Sequence, residues 1–205
     1  FNQKLLTYFV ILLGGLMMAW TLNDLFKSSE TSTLVSPLHV SSESNSDNRQ
    51  SIGELTAVVD PNWVRESPSS SMRIAQFRLP SGSNDIEDAE LAIFSGIGGS
   101  VEGNLDRWFS QFQQPDGTES KSKARVREFM VGGMNTTIAD LSGTFTGSGM
   151  PMSSTIEKKG YRLLAAIVKV GGDIYYFKLL GPQSTVGQWA ESYGKFIGNL
   201  KTTSM

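Results

Sequence analysis

The chain has 205 residues, of which 39% are hydrophobic and 19% charged, and its formal net charge is −2. It contains no cysteine and a single histidine, which excludes a disulfide scaffold, a thiolate zinc site, a cysteine nucleophile and a multi-histidine metal centre. A net charge near zero gives no overall attraction for nucleic acid, so we expect no nucleic-acid partner.

The first predicted element is a continuous apolar segment, Leu5–Phe26, with no charged residue between Lys4 and Asp24. A helix of about 20 residues spans roughly 30 Å, the hydrocarbon thickness of a bilayer. Tyr8 and Trp20 lie toward its two ends, where amphipathic rings favour the membrane interface. The alternatives are a cleaved secretory signal, for which the run is long, and a buried core helix. We expect an uncleaved membrane anchor.

The anchor, taken as residues 1–27, determines where the rest of the chain lies. Lys4 and Lys27 flank the span almost symmetrically, so the positive-inside rule gives little guidance. A short tail before a single span usually stays inside. We therefore expect a single-pass protein of the bacterial inner membrane, with a cytoplasmic amino terminus, the lipid bilayer as a partner and a periplasmic globular domain.

Residues 28–51 form a segment dominated by serine and threonine. Such a segment buries too little apolar surface to offset its ordering entropy and is typical of a tether. Its apolar patch, around Val35 and Leu38, is the predicted contact with a partner subunit. His39 lies in the same patch, where we expect it to face solvent or the partner rather than to bind a metal.

Residues 52–205 carry the pattern of one α+β domain with a mainly antiparallel sheet. Glycine pairs within Val131–Met134 and Val170–Ile174 predict hairpin turns between consecutive strands. Turn-forming residues bound each apolar run. The predicted strands are Leu55–Val59, Trp63–Glu66, Met72–Leu79, Glu90–Ile97, Ala124–Val131, Thr136–Thr146, Tyr161–Val170 and Ile174–Leu180.

Two amphipathic helices interrupt the strands. The first, Val101–Gln113, has Ser100 as a predicted N-cap. The second, Val186–Leu200, follows a capping-box pattern formed by Thr185 and Gln188. Both carry aromatic stripes at helical spacing, which we expect to pack in the core against the sheet rather than to form a cofactor site.

Motifs that carry chemistry are weak, and we predict no catalytic residue, cofactor or metal. Gly147–Gly149 lies between strands and lacks the pattern of a nucleophile elbow. The glycine run Ser95–Ser100 precedes a helix, where backbone amides can hold an anion, but it lacks the lysine of a phosphate-binding loop. An acidic cluster lacks the spacing of a calcium loop. It comprises Asp85, Glu87, Asp88 and Glu90.

Four cations alternate with small or apolar residues just before the middle of the domain. They are Lys121, Lys123, Arg125 and Arg127. Side chains alternate between the faces of a strand, so on a strand all four would point the same way. Such a basic ridge can meet an acidic partner or anionic lipid headgroups. The alternative is a solvent-facing surface that keeps the sheet soluble.

The segment Trp63–Phe77, followed by Leu79 and Pro80, resembles a group of uncharacterised exported bacterial proteins, common in planctomycetes and often lipoproteins. The resemblance covers most of residues 55–200 and implies no established activity. Many of those proteins carry a lipobox cysteine, which this chain lacks. The order of strands and helices resembles the PsbP-like fold, a sheet flanked by helices found in extrinsic subunits of photosynthetic complexes. Further matching segments are Asp88–Leu91, Gly98–Val101, Asn104–Trp108, Gln111–Phe112, Ser142–Phe145 and Phe177–Pro182.

The function that these patterns favour is that of a non-catalytic, single-span accessory subunit of a larger bacterial membrane complex, respiratory or photosynthetic. Its partners would be other membrane subunits. Within the span, Gly14 and Gly15, with Ala19 one turn on, form a small-residue notch that lets another helix approach closely.

A second function, from a different class, stays open. The domain can be a membrane-anchored periplasmic binding module or enzyme that acts on an anionic ligand. Arg73, Arg78 and Arg107, or the Gly98–Gly99 turn, would then hold that ligand. Co-purification with a stoichiometric partner distinguishes the two functions.

Overall fold

The described part of the chain is organised around two antiparallel β-sheets. The computed structural model describes residues 48–84, 86–147 and 157–203, and every strand pair within these ranges is antiparallel. The strands are β1 (Arg49–Ile52), β2 (Leu55–Val58), β3 (Val64–Glu66), β4 (Arg73–Leu79), β5 (Ala89–Ser95), β6 (Phe112–Gln113), β7 (Arg125–Val131), β8 (Met134–Phe145), β9 (Lys158–Val170), β10 (Asp173–Pro182) and β11 (Lys201–Thr202). The helices are α1 (Val101–Phe109), α2 (Ser120–Lys123) and α3 (Gln183–Gly198).

Eight of these strands form one sheet and three form a smaller one. The larger sheet has the order β3-β4-β5-β10-β9-β8-β6, and β7 also pairs with β8. Since β9 occupies one edge of β8, β6 and β7 share the other edge. The smaller sheet has the order β1-β2-β11. Its strand β1 starts at Arg49, so the fold begins before the predicted boundary at residue 52 and includes the last residues of the predicted tether.

Both predicted hairpin turns are present in the larger sheet, and Val170 pairs with Asp173 in the turn between β9 and β10. Val131 pairs with Met134 in the turn between β7 and β8, as predicted. Gly132 and Gly133 both have positive φ there, 53° and 83°. A side chain at Gly132 would also place its Cβ 2.8 Å from the carbonyl oxygen of Leu200. This turn therefore requires glycine for both its backbone conformation and its space.

The larger sheet is covered on both faces, and each face has its own core. On one face, α3 and the smaller sheet pack onto β4, β5, β9 and β10, with Phe196 and Tyr193 fully buried. On the other face, α1 packs onto β8, β9 and β10 through Leu105, Trp108 and Phe109. The predicted aromatic stripes are thus core residues, and the predicted mainly antiparallel sheet flanked by two amphipathic helices is confirmed.

The observed helix boundaries differ from the predicted ones. The Ser100 hydroxyl accepts a hydrogen bond from the Gly103 amide at 3.0 Å, which confirms the N-cap of α1. Helix α1 ends before residue 113 because Phe112–Gln113 pairs with β8. Helix α3 begins at Gln183, so the predicted capping box is wrong. Thr185 lies inside that helix and donates its hydroxyl to the main-chain oxygen of Glu87 at 2.9 Å.

Within the described residues, no helix combines the length and the apolar character that a membrane crossing needs. The predicted anchor Leu5–Phe26 and residues 28–47 of the predicted tether lie outside the described residues. The membrane anchor and its orientation stay predictions from the sequence.

Candidate functional site

The four cations of the predicted basic ridge do not share one strand. Lys121 and Lys123 lie in the single helical turn α2, and β7 begins only at Arg125. Successive residues of a helix rotate by about 100°, so the two lysines leave the strand face on which Arg125 and Arg127 lie. The prediction of one ridge with four aligned cations is therefore wrong.

Carboxylates of the domain itself neutralise three of these cations. Arg127 is exposed and makes no ion pair with any residue in the described ranges. It is therefore the one member of the predicted ridge left for a partner. The other ion pairs are Lys121–Asp106 at 2.8 Å, Lys123–Asp116 at 2.8 Å and Arg125–Asp140 at 2.5 Å.

Asp140 is a carboxylate of this region that is held by two arginines. It accepts two hydrogen bonds from the Arg162 guanidinium, at 2.8 and 3.0 Å, in addition to the one from Arg125. Its side chain is only 15% exposed. Burial alone would raise the pKa of Asp140, but the hydrogen bonds and charges of Arg162 and Arg125 outweigh burial and hold that pKa below its ordinary value.

Replacing Asp140 with asparagine is expected to lower the free energy of unfolding by about 2 kcal/mol near neutral pH, because Arg162 then lacks its carboxylate in a partly buried position. A depressed carboxyl pKa stabilises the fold above the unfolded-state pKa of about 3.9, and this contribution is lost as pH falls through the folded-state value. Urea unfolding should therefore show a smaller difference between variant and wild type below about pH 4.

The control for this variant is Asp173→Asn, at the exposed first residue of β10. It is expected to change the free energy of unfolding by less than about 0.5 kcal/mol. An Asp140→Asn effect that is equally large in acid and at neutral pH would contradict the role given to this carboxylate.

Strand β7 presents an open edge of seven residues. It pairs with β8 along its whole length, and no further strand pairs with it in the described part of the chain. Three of its large apolar side chains are exposed, Val126 at 46%, Phe129 at 45% and Met130 at 59%. An unpaired edge with exposed apolar side chains is a template for pairing with another chain.

The two faces of β7 offer different chemistry to a partner. Val126, Glu128 and Met130 point to the face covered by α1, because they lie opposite alternate residues of β8 on that face. Arg127 and Phe129 point to the other face. A groove of about 400 Å³ separates α1 from β7. It is lined by Val101, Glu102, Leu105, Asp106, Phe109, Lys121, Val126, Glu128 and Thr137.

A second cluster lies at the carboxyl end of α1. Lys178, on β10, donates a hydrogen bond from its ammonium group to Oε1 of Gln111 at 2.8 Å and lies 5.6 Å from the centroid of the Trp108 ring. It makes no ion pair with a described residue. Burial lowers the pKa of Lys178 to about 8, and the nearby charges of Arg107 and Arg73 act in the same direction.

The three arginines that could hold an anionic ligand differ in their surroundings. Arg107 is exposed, donates to Oδ1 of Asn104 at 2.6 Å and has no ion pair within the described residues. Arg73 pairs with Glu90 at 2.9 Å. Arg78 is held by two carboxylates, Glu66 at 3.0 Å and Asp88 at 2.8 Å. The charges of Arg73 and Arg107 thus act on Lys178, whereas Arg78 is neutralised by its two carboxylates.

The glycine turn before α1 has a structural role. The carbonyl oxygen of Gly98 accepts a hydrogen bond from the Asn104 side chain at 3.0 Å. Gly98 and Gly99 have φ values of 70° and 82°, which allow the chain to reverse direction between β5 and α1. Asn104 in turn donates to the Tyr176 hydroxyl at 3.2 Å.

The described members of the predicted acidic cluster each have a cationic partner. Glu87 accepts from Lys158 at 2.7 Å and from the Tyr161 hydroxyl, and these two bonds lower its pKa. Asp88 and Glu90 pair with arginines, as described above, and Asp85 lies outside the described residues. Within the described ranges, no three acidic, histidine or cysteine side chains are placed to hold a metal ion.

The remaining predicted partner contacts lie outside the described residues. They are Gly14, Gly15 and Ala19 of the anchor and Val35 and Leu38 of the tether. Lys178 and the exposed residues of β7 were not predicted as site residues. A signal for Lys178 exists, because it is the one charged residue within the apolar run Ile174–Leu180.

No family model and no curated protein matches this chain. Three solved structures illustrate what it is similar to. A Pseudomonas aeruginosa protein of unknown function has a TM-score of 0.45 and 10% identity, covering 77% of this chain and 97% of that one. Cyanobacterial PsbP (CyanoP) from Synechocystis sp. PCC 6803 has a TM-score of 0.46 and 9% identity, covering 75% and 91%. LpqN of Mycobacterium tuberculosis, involved in cell envelope biogenesis, has a TM-score of 0.43 and 8% identity, covering 73% and 83%.

Proposed function

We propose that this chain is a non-catalytic accessory subunit of a larger bacterial membrane complex. In this proposal the apolar segment Leu5–Phe26 anchors it, and its α+β domain docks on the periplasmic face of that complex through β7. The observation that carries the docking part is the open edge of β7 with its three exposed apolar side chains. Respiratory and photosynthetic assemblies are the first complexes to examine.

The occupant that fits this edge is an extended segment of a partner polypeptide. A strand of the partner added to β7 would form hydrogen bonds with the free backbone groups of β7. Alternate side chains of that added strand would contact partner-facing side chains on the two faces of β7. Arg127 and Phe129 share one of these faces. An acidic residue opposite Arg127, followed by an apolar residue opposite Phe129, complements it.

Pairing of β7 with a second copy of itself is less favourable. The antiparallel register that pairs all seven residues of β7 places Glu128 directly opposite Glu128 of the second copy. Like charges placed directly opposite each other on a sheet are destabilising. A different polypeptide is therefore the better occupant.

The experiment is affinity purification of the full chain from its native membranes in mild detergent. The variant Phe129→Lys/Met130→Lys places two lysines on the edge, the device by which natural edge strands avoid pairing. We expect a stoichiometric polypeptide to co-purify with the wild type and to be reduced at least about tenfold with this variant. The control is Met72→Lys, at a residue 64% exposed and outside β7, which should retain the partner.

Two results would contradict this function. One is a β7 variant, folded by circular dichroism, that retains the partner at the wild-type level. The other is a wild-type chain that purifies as a monodisperse monomer without a stoichiometric partner.

A further inference from the structure

We propose that Lys178, Arg107 and Arg73 form a binding site for a small organic or inorganic oxyanion, a carboxylate or a phosphate, on the sheet face beside α1. This site is independent of the docking edge: it involves β4, β5, β10 and the carboxyl end of α1, whereas β7 lies at the far edge of the sheet.

Sheet register places the side chains of Arg73 and Lys178 on the same face of the larger sheet, on either side of β5. Lys178 lies opposite Ala92 of β5, and Ala92 lies opposite Gln76 of β4. Arg73 itself lies opposite Phe94, but its guanidinium donates a hydrogen bond to Oε1 of Gln76 at 2.7 Å and so reaches the same level. Neighbouring strands are about 4.8 Å apart, so β4 and β10 are separated by about 10 Å with only a methyl group between them at this level. The long side chains of Arg73 and Lys178 can therefore reach a shared ligand from both sides, and Arg107 approaches from α1.

The charges at this position are not balanced. Glu90 neutralises Arg73 at 2.9 Å, but neither Arg107 nor Lys178 has a carboxylate partner among the described residues. A partly buried ammonium beside two guanidinium groups is destabilised by burial and by repulsion. A bound oxyanion would offset both effects, and burial strengthens its attraction to the cations.

The side chains match the geometry of an oxyanion. A guanidinium group binds a carboxylate or phosphate through two parallel N–H groups, and an ammonium group adds a compact point charge. Aromatic rings limit water on two sides: Arg73 lies 5.9 Å from the centroid of Phe94, and Lys178 lies 5.6 Å from that of Trp108. The site thus suits an anion with a small apolar part as well as inorganic phosphate.

The experiment measures the pKa of Lys178 by NMR of the full chain, with isotope-labelled lysine, in a nonionic detergent. Inorganic phosphate and acetate are titrated separately against a chloride background of equal ionic strength. We expect a saturable change at Lys178, with half-saturation near or below about 1 mM for at least one anion. The pKa of Lys178 should then rise from about 8 toward its ordinary value.

Two variants decide whether this response belongs to the proposed site. Arg107→Gln, at an exposed residue, should weaken binding at least about tenfold. Lys201→Gln, on β11 of the smaller sheet, should leave it unchanged. A response to phosphate alone identifies a phosphate site, and one to acetate identifies a carboxylate site. No saturable response to either anion, or equal affinity in Arg107→Gln, would overturn the proposal and leave the docking function untouched.

Discussion

Replacing Phe196 with alanine is expected to lower the free energy of unfolding by about 4 kcal/mol, because it removes a fully buried aromatic side chain and leaves a cavity. Phe196 is 1% exposed and lies between two other rings, 5.2 Å from the Trp63 centroid and 5.8 Å from the Phe177 centroid. These rings come from α3, the larger sheet and the segment before β3. The residue therefore joins three parts of the fold, and denaturant unfolding measures its effect.

The matched control is Phe129→Ala, which removes the same ring from the exposed edge strand. Phe129 is 45% exposed, so its removal is expected to change the free energy of unfolding by less than about 0.5 kcal/mol. Comparable losses for both phenylalanines would mean that β7 is covered within the domain, which would contradict the assignment of an open edge.

Trp108→Ala is expected to lower the free energy of unfolding by about 3 kcal/mol, through loss of the main aromatic contact between α1 and the sheet. Trp108 is 4% exposed and packs edge-on against Tyr176 with ring centroids 6.0 Å apart. Denaturant unfolding again provides the measurement. A loss below about 1 kcal/mol would contradict α1 as the cover of this face.

The two core variants should act independently. Phe196 and Trp108 belong to separate buried clusters on opposite faces of the larger sheet. The effects of substitutions without shared neighbours on the free energy of unfolding usually add to within about 0.5 kcal/mol. The free energy of unfolding of the double variant should therefore fall by about 7 kcal/mol, or the double variant should fail to fold. Removing Trp108 also exposes Lys178, whose pKa should rise from about 8 because burial is the main cause of its depression.

Long, regular elements could be predicted from the sequence. The central strands β8, β9 and β10 and the hairpin turns between consecutive strands follow from apolar runs bounded by glycine pairs. The apolar stripes of α1 and α3 also identify their buried faces, since helical spacing places those side chains together. Short strands such as β6 and β11, with two residues each, contain no period that a pattern could reveal.

The segment 120–127 shows how a local pattern can mislead. Alternating cations are consistent with a strand, yet the first four residues form a helical turn. Lys121 pairs with Asp106, which lies in α1. Lys123 pairs with Asp116, which lies in the loop that precedes the turn. Such contacts depend on the tertiary fold, and strand periodicity carries no information about them.

Neither candidate site could be predicted from the sequence, because each depends on the order of the strands in the sheet, which sequence patterns do not give. The exposed Phe129 and Met130 resemble residues of a buried strand until β7 is known to be an edge. Arg73 and Lys178 are far apart in the chain, and only the β4-β5-β10 order brings them to one face. Arg78, predicted together with Arg73 and Arg107, has two carboxylate partners.

The most direct test of the docking proposal is photocrosslinking in the native membrane. A photoreactive amino acid replaces Met130 on β7 in one sample and Met72 in another, because both side chains are strongly exposed, at 59% and 64%. The proposal predicts a discrete crosslinked polypeptide from position 130 and none from position 72. Crosslinks to no polypeptide at position 130, or the same products from both positions, would contradict β7 as the docking edge.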